Sequence, residues 1–508
     1  MNGPRTLMDK TLRKADERLG FASVARTALG KIFPDHWSFM LGEIALYSFV
    51  ILVFTGIYLA LFFEPSSALR VYHGSYAPVH GKEVSAAFAS TVEISWDVRG
   101  GLLIRQAHHW AAHIFIGAIV LHLCRIYFTG MFRKPREINW VVGLTLLLLA
   151  IFNAFAGYSL PDDLLSGTGL HIFYSTLEAV PFVGGWLTML VFGGEFPGHF
   201  IIERLYPVHI FLVPAAIAGL LVVHLGVLIR QKHSHFPGPG RNDANVVGSR
   251  VWPGYALRSL ALLCAVTAVT LLAGGLAQIN PVWVWGDFDS STITAPSVAD
   301  WYIAWIEGAL RLFPPVEIRL GTVTVPNQFW PAILLPGVTF LVLYAWPLID
   351  RRLTGDRGTH HLTGRPRESP VRLAIGVWAV CFYALLLLAS GEELLVQWTQ
   401  LPIGTVRAVL RLLVVVLPLV AAAVAHRVAR ALNRSEAQGA LYLSSADLLH
   451  ANREPDGADQ ADGADQADQA DGTDQVDEAD GADEVDRVDG RALSESPPWL
   501  ADTTRRDR

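Results

Sequence analysis

Four histidines lie in apolar stretches of the sequence at nearly equal spacing. His122 follows His108, and His224 follows His209, by about four helical turns, or roughly 14–15 residues. In an α-helix both separations bring the two side chains to one face, roughly 21–22 Å apart along the axis. Imidazole is a frequent metal ligand, and ionisable groups inside long apolar segments are costly enough to indicate a function. The spacing therefore predicts two metal-binding levels, each with one histidine from each segment.

The donor set at each level favours haem over a bare metal ion. The sequence offers no carboxylate or cysteine on these faces at either level, so a zinc or iron ion would lack ligands. Haem supplies four nitrogens itself, and with both axial positions filled it is suited to electron transfer. We therefore predict two non-covalently bound haem b groups. The ligands are His108 with His209 at the outer level and His122 with His224 at the inner level.

Other residues of these segments have predicted roles around the haems. Arg105 and Arg125 each lie three residues from a ligand and are predicted to pair with haem propionates. Two glycine pairs share the spacing of His108 and His122 and are predicted to leave room for the edge of the macrocycle, although close helix packing is the alternative interpretation. These are Gly42 with Gly56, and Gly143 with Gly157. His109 and His113 fall off this pattern, and we expect them to pack or to form hydrogen bonds.

The composition is that of a membrane protein. Of the 508 residues, 52% are hydrophobic and 17% are charged, which excludes an ordinary soluble enzyme. A helix needs about 20 apolar residues to cross the hydrocarbon core, and hydropathy gives eight such segments. They lie at about 40–63, 103–129, 139–160, 205–229, 256–279, 328–349, 371–389 and 406–426. We therefore predict an all-α polytopic membrane protein with eight transmembrane helices, the first four forming a dihaem-binding bundle.

Basic residues concentrate in every second loop. Arg133, Lys134 and Arg136 follow the second span, and Arg230 and Lys232 follow the fourth. Basic loops stay on the cytoplasmic side, and an even number of spans puts both ends there too. Residues 456–490 repeat acidic units with almost no apolar content, which predicts a disordered tail. The three cysteines form no Cys-x-x-Cys-His motif, so a redox partner on another chain is expected.

Several motifs occur together with the histidines and glycines. They are Arg105-x-x-His108, His122-x-x-Arg125, Gly157-Tyr-Ser-Leu-Pro161, Arg204 ahead of His209, and the segments Leu160 to Gly167 and Gln231 to Gly240. This combination resembles cytochrome b of the cytochrome bc complexes, and in particular the form in actinobacterial menaquinol:cytochrome c oxidoreductases. The resemblance covers roughly residues 30–430.

The resemblance implies a quinol-oxidation site near the outer haem. The family carries Pro-Glu-Trp-Tyr in the loop before the sixth span, and the matching residues here are Ala299, Asp300, Trp301 and Tyr302. Asp300 is expected to accept a proton from quinol, although the proline that would fix the backbone before this carboxylate is lost. Tyr302 is expected to hydrogen-bond the quinol or an iron–sulfur partner. The alternative interpretation is an interfacial aromatic belt with a solvated acid.

The resemblance also implies partners, a location and a domain organisation. We expect a Rieske iron–sulfur protein, a c-type cytochrome, a homodimeric complex, a terminal oxidase as a further partner, and menaquinone as the quinone, in a bacterial cell membrane. Trp37, Lys232, His233 and His235 lie on the side of the inner quinone site, or are solvated surface residues. The expected segments are a cytoplasmic stretch 1–37, the haem bundle 38–235, a cytoplasmic loop 236–255, a four-helix domain 256–430 with the quinol-site loop near 287–327, and a cytoplasmic tail 431–508, acidic and disordered at about 452–495.

Three other classes of protein are weighed against this interpretation. Another dihaem quinone-linked anchor would explain the histidines but would not need eight spans. A haem-free transporter usually shows internal repeats or broken helices, and the two halves of this sequence show no repeat. A divergent paralogue with impaired quinol oxidation stays open, because the proline before Asp300 is lost.

Overall fold

The computed structural model describes residues 29–34, 36–198, 200–292, 299–321 and 323–451. Most of the predicted N-terminal segment, from 1 to 28, and the predicted disordered tail at 452–495 lie outside this part of the chain. The chain divides into two units, Met1–Tyr442 and Leu443–Arg508. Residues 443–451 of the second unit are helical.

The described residues of the chain are mainly helical. In chain order the helices are α1 Leu41–Ala60, α2 Ala86–Trp96, α3 Gly101–Phe128, α4 Glu137–Tyr158, α5 Leu164–Glu178, α6 Gly184–Phe192, α7 Ile201–Pro207, α8 Val213–Gln231, α9 Ala256–Leu276, α10 Val282–Trp285, α11 Trp301–Leu312, α12 Leu335–Thr354, α13 Pro370–Ser390, α14 Glu392–Thr399 and α15 Ile403–Ala451. Short 3₁₀ turns at Trp37–Met40 and Pro366–Glu368 and π-helical turns at Val208–Leu212, Val251–Tyr255 and Trp330–Leu334 adjoin them.

Eight segments of the described chain are long and apolar enough to cross a membrane, which confirms the predicted all-α fold with eight spans. They are Trp37–Ala60, Gly101–Phe128, Glu137–Tyr158, Ile201–Gln231, Val251–Leu276, Trp330–Thr354, Pro370–Ser390 and Ile403–Gln438. Each contains one of the eight predicted spans almost completely, because apolar length is a local property of the sequence. The chain is therefore an integral membrane protein.

Local sequence signals set several helix ends near the site. Gly100 adopts a left-handed conformation (φ 71°) immediately before α3, where a side chain would be strained. Asp163 caps α5 by accepting a hydrogen bond from the Leu165 N–H at 3.3 Å, and Ser166 completes a reciprocal capping box. These signals fix where the site-bearing helices begin.

The first four spans pack as two helix pairs. Helix α1 packs against α3, α4 packs against α8, and α3 also contacts α4. An apolar cluster that includes Phe115, Ile116, Leu147 and Ile217 joins the two pairs at mid-depth. Helix α9 covers α1 and α3 from outside, and α12 packs against α4. The faces that carry the four predicted haem ligands lie within this bundle.

Short antiparallel pairs and bridges tie the loops together. The strands are β1 Ile32–Phe33, β2 Leu69–Val71, β3 Glu83–Ser85, β4 Ser249–Arg250, β5 Ile318–Leu320 and β6 Val323–Val325, paired β1 with β4, β2 with β3 and β5 with β6. Pairing of Ile32 with Arg250 joins the segment before span one to the loop after span four. A bridge from Asp163 to Asp287 joins the loops after spans three and five. Loops separated by an even number of spans therefore meet, as a multi-pass topology requires.

Candidate functional site

The two outer histidines face each other across the bundle. His108 lies on α3 and His209 lies in the π-helical turn that precedes α8, with ring centroids 6.2 Å apart and an interplanar angle of 74°. Bonds from a metal to imidazole nitrogen are about 2.0 Å long, so two imidazoles on one ion have centroids about 6 Å apart. The separation in the structure suits two axial ligands of one iron.

Hydrogen bonds leave the Nε2 atom of each outer histidine free for a metal. The Thr55 hydroxyl donates its proton to the Ile51 carbonyl at 2.7 Å, so it accepts from the His108 Nδ1–H at 2.8 Å. His209 Nδ1–H donates to the Asn153 carbonyl, also at 2.8 Å. A hydrogen bond from the other ring nitrogen is the usual support of a ligating histidine, because it fixes the tautomer and ring orientation. The signal available in the sequence is that Asn139 and Asn153 repeat the spacing of the glycine pairs.

A π-helical turn accounts for the extra residue between the histidines of span four. The turn covers Val208–Leu212 and contains His209, and it follows Pro207. A π turn holds one more residue than an α turn, and such turns are frequent at functional sites. The longer separation of His209 and His224 thus covers nearly the same number of turns as the separation of His108 and His122.

Each of the four glycines lies against one histidine. A Cβ atom on Gly157 would overlap the His209 ring, and one on Gly56 would lie 3.2 Å from His108 Cε1. A Cβ on Gly42 would lie 3.4 Å from His122 Cε1, and one on Gly143 would lie 3.6 Å from His224 Cε1. The sequence predicted room for the macrocycle at these positions, and the contact found in the structure is with the imidazole of the neighbouring helix.

The inner histidines occupy similar positions with fewer hydrogen bonds. His122 on α3 lies close enough to His224 on α8 to interact with it electrostatically. Within the described part of the chain, Nδ1 of each ring is buried without a partner that meets hydrogen-bond geometry. His224 does interact with the backbone of Asn139, one turn before Gly143, which parallels Asn153 before Gly157.

Both predicted propionate partners have buried nitrogen atoms that lack a hydrogen-bond partner among the described residues. The Arg105 guanidinium donates to the Asn280 carbonyl at 3.3 and 3.4 Å. The Arg125 guanidinium lies 3.9 Å from the ring centroid of Phe39. Among the described residues, Nε of Arg105 and both Nε and Nη2 of Arg125 have no hydrogen-bond partner. Buried donors without partners are costly, and an anionic group would satisfy them. The donor set, the glycines and these nitrogens together fit haem with its carboxylates.

Three polar side chains surround the Asp300 carboxylate. Tyr302 donates its hydroxyl hydrogen to Asp300 Oδ2 at 2.6 Å. His109 Nε2 lies 3.3 Å from Oδ2, and His113 Nε2 lies 3.7 Å from Oδ1. Burial raises the pKa of Asp300, but the hydrogen bond and charge from His109, with His113 and Tyr302, outweigh it and leave the pKa below its usual value. The sequence predicts packing or hydrogen-bonding roles for His109 and His113, but it does not identify Asp300 as their partner.

A single cavity of about 490 Å³ connects the outer histidines with this carboxylate. It is lined by His108, His209, Arg105, Asp300 and Tyr302, besides apolar side chains. Its volume is in the range of sites for small organic molecules, which is about 300–1,000 Å³. The predicted outer haem level and the predicted quinol residues therefore border the same space.

The residue that replaces the family proline makes its own contact. The Ala299 N–H donates to Glu307 Oε2 at 3.2 Å, a bond that proline cannot form because it has no N–H. Glu307 is held in turn by Arg311 at 2.7 Å. Asp300 immediately precedes α11 and has an extended backbone (φ −52°, ψ 142°). This hydrogen bond holds the backbone that proline would otherwise restrict.

The residues considered for the inner quinone site differ in exposure. Trp37 is 71% exposed, whereas His235 is fully buried and its Nε2 contacts the Asn242 carbonyl at 3.1 Å. Burial, with the charges of Arg136 and Lys31, lowers the pKa of His233 to about 4.

Arg136, which the sequence indicates only as a basic loop residue, is buried at this end of the bundle. Arg136 donates to the His360 and Lys232 carbonyls at 2.5 and 3.0 Å and lies 3.1 Å from His361 Nδ1. Burial lowers the pKa of Arg136 to about 10. Arg136 thus ties the loop after span two to the loops after spans four and six.

Known proteins resemble this chain over most of its length. The family described as cytochrome b (N-terminal)/b6/petB matches residues 113–287. The cytochrome bc1 complex cytochrome b subunit of Mycobacterium tuberculosis (strain ATCC 25618 / H37Rv) is 46% identical over 422 residues, 83% of this chain and 77% of that protein. The subunit of the same name from Streptomyces coelicolor is 44% identical over 429 residues, 84% of this chain and 78% of that protein.

A solved structure supports the fold. A chain of a hyperthermophilic respiratory complex III superposes with a TM-score of 0.59 at 19% identity, covering 81% of this chain and 98% of that one. Identities of 46% and 44% across more than four fifths of the chain, together with the family match, decide the assignment. The chain belongs to the cytochrome b family, as the cytochrome b subunit of a respiratory bc complex.

Proposed function

We propose that this chain oxidises menaquinol at the outer face of a bacterial cell membrane and reduces quinone at the inner face, coupled to proton translocation. Two non-covalent haem b groups would lie between the two sites. The observation that carries the proposal is the shared cavity, because the outer histidine pair and Asp300 border one space of about 490 Å³. The outer haem would fill most of this space, so a quinol hydrogen-bonded to Asp300 at its border would contact a proton acceptor and lie beside an electron acceptor.

The chain's own residues would hold the haems in place. His108 and His209 would ligate the outer iron through Nε2, since Thr55 and Asn153 engage their Nδ1 atoms. His122 and His224 would ligate the inner iron. When bound, haem held by two histidines would supply a one-electron carrier. Arg105 and Arg125 would offer their unpartnered nitrogens to the propionates.

Asp300 would act as the proton acceptor of quinol oxidation. The pKa of its carboxyl is below its usual value because the contacts from His109, His113 and Tyr302 outweigh burial. It is therefore ionised at neutral pH and able to take a proton from a quinol hydroxyl. Tyr302 donates to this carboxylate at 2.6 Å and so fixes its orientation. Burial, with the charge of Asp300, raises the pKa of Tyr302 well above its usual value, which keeps its hydroxyl protonated.

The rest of the reaction needs other chains. The sequence has three cysteines and no Cys-x-x-Cys-His motif, so a Rieske protein and a c-type cytochrome would receive the electron that leaves outward. We propose both termini in the cytoplasm, from the basic loops after spans two and four. A homodimeric complex and an associated terminal oxidase belong to the same proposal.

A second candidate is a paralogue with impaired quinol oxidation. The observation that favours it is Ala299, which stands where the family has proline. The hydrogen bond from the Ala299 N–H to Glu307 argues against a displaced carboxylate. We therefore favour a chain that oxidises quinol over a paralogue with impaired quinol oxidation.

Replacing Asp300 separates the two candidates. In the purified complex, Asp300→Asn should slow menaquinol oxidation roughly 100-fold or more, since losing positioned proton transfer costs about 10²–10⁴-fold. The haem spectrum and haem content should stay unchanged. Asp289→Asn is the matched control, because Asp289 is an exposed acid of the same loop that contacts Ser291. Undiminished turnover in Asp300→Asn would reject the proton-acceptor role, and absent turnover in the unmodified complex would favour the paralogue.

A further inference from the structure

The carboxylate of Glu307 lies between the backbone that precedes Asp300 and a group of charged side chains. The Ala299 N–H donates to Glu307 Oε2 at 3.2 Å. Arg311 donates to Oε1 of the same carboxylate at 2.7 Å. The Glu307 side chain is 13% exposed, so water competes little for either contact. One largely buried carboxylate therefore joins the residue beside the proposed proton acceptor to an arginine.

Residues of α14 and α15 hold this arginine in turn. Arg311 Nη1 lies 3.3 Å from Glu392 Oε1 and also contacts Glu393. Glu392 is 1% exposed and accepts a hydrogen bond from Arg407 Nε at 3.1 Å. Hydrogen bonds between charged groups are stronger than those between neutral groups. Charges of alternating sign therefore run from Arg407 to Glu307 and hold the Glu307 carboxylate in a fixed position.

Helix α11 provides a rigid base for the contact with Ala299. A Cβ atom on Gly308 would overlap the Leu386 carbonyl, so α11 and α13 approach each other closely. The Asp300 carbonyl accepts hydrogen bonds from the first turn of α11. Ala299 precedes that turn, and Glu307, about two turns further on, reaches back to its N–H. The contact therefore restrains the backbone on the N-terminal side of Asp300.

We propose that Glu307 is a positioning residue of quinol oxidation, because it holds the Ala299 N–H and thereby keeps the Asp300 carboxylate in place. A proline at this position would restrain the backbone through its ring instead, and it could not donate to Glu307 because it has no N–H. The role in turnover rests on the proposed function, whereas the restraint of the backbone does not. Glu307 should therefore matter for turnover only while residue 299 can donate a hydrogen bond.

The restraint is measured first, by hydrogen–deuterium exchange of the purified complex without quinol. Glu307→Leu has no acceptor, and Glu307→Gln, which keeps the size of the side chain, has one amide oxygen that Arg311 would take. In both variants the Ala299 amide should exchange at least roughly fivefold faster, the factor for about 1 kcal/mol. Glu393→Gln is the matched control, because Glu393 contacts the same arginine, and it should exchange like the unmodified complex. Unchanged exchange in both Glu307 variants, or equal acceleration in Glu393→Gln, would overturn the restraint.

Turnover is measured second, at equal haem content. Both Glu307 variants should oxidise menaquinol roughly tenfold more slowly or worse, since a displacement of about 1 Å can cost about 10²-fold. Adding Ala299→Pro to either variant should give the rate of Ala299→Pro alone, a rescue that a merely structural role of Glu307 would not allow. Faster exchange with undiminished turnover, absence of this rescue, or loss of turnover in Ala299→Pro alone would overturn the positioning role. Absence of quinol oxidation in the unmodified complex would reject the proposed function, while amide exchange would still decide the restraint.

Discussion

At the outer level both imidazoles use Nδ1 in 2.8 Å hydrogen bonds to neighbouring helices, whereas at the inner level, among the described residues, neither Nδ1 has a partner of hydrogen-bond geometry. The contacts between glycines and histidines are also closer at the outer level. Outer Gly157 and Gly56 lie closer to their histidines than inner Gly42 and Gly143 do. The two levels share paired histidines at similar spacing, and they differ in how firmly the surrounding helices fix the rings.

The difference matches what borders each level. The outer pair shares its cavity with Asp300 and Tyr302, so a shift of either imidazole would alter the proposed quinol site. Fixed rings preserve the geometry on which such a reaction depends. The inner pair lies towards Arg125, whose nitrogens have room for an anionic partner. Protein contacts therefore position the two outer histidines, and we infer that haem would contribute more to the orientation of the two inner histidines.

Replacing one ligand at each level should give the largest effect. His209→Leu and His224→Leu should each remove about half of the haem b, because an axial ligand is lost at one level only. Haem content and the reduced-minus-oxidised spectrum of the purified complex measure this. Unchanged haem in either variant would reject that histidine as a ligand, and total loss in one variant would show that the two levels do not bind independently.

Adding one methyl group to a glycine should affect the outer level more than the inner. A Cβ at Gly157 overlaps the His209 ring, whereas one at Gly143 would make an ordinary 3.6 Å contact with His224. Overpacking costs about 1–3 kcal/mol, so Gly157→Ala should weaken outer haem binding by roughly 5- to 150-fold. Gly143→Ala should retain the inner haem. Haem retention during graded detergent treatment compares the two, and equal losses would contradict the difference between the levels.

The features that the sequence predicted are local or periodic. Eight apolar segments followed from hydropathy and length, and they match the spans of the structure. The shared faces of His108 with His122 and of the glycine pairs followed from helical geometry. Homology confirms the resemblance to cytochrome b. The haem ligands themselves stay a prediction, supported by the facing outer rings.

The features that the sequence did not predict depend on contacts between distant segments. His109 meets Asp300 across 191 residues, and no periodicity of α3 indicates which loop folds against it. The π turn at His209 depends on local geometry that an ideal helix omits. Arg136 binds carbonyls of two loops that are far away in sequence. Helix periodicity predicts the face of the helix on which a residue lies. Which distant residue it contacts depends on tertiary packing.

Removing one supporting hydroxyl should give the smallest effect and the most specific test of the comparison. Thr55→Val keeps the shape of the side chain but loses the acceptor for the His108 Nδ1–H. Loss of such a supporting contact typically costs about 10–100-fold in metal affinity, so outer haem should dissociate more readily and its redox potential should shift. Ser48→Ala is the matched control, since the Ser48 hydroxyl donates to the Ile44 carbonyl of its own helix. A shift confined to Thr55→Val would show that protein contacts tune the outer level, and equal behaviour of the two variants would show that haem alone orients His108.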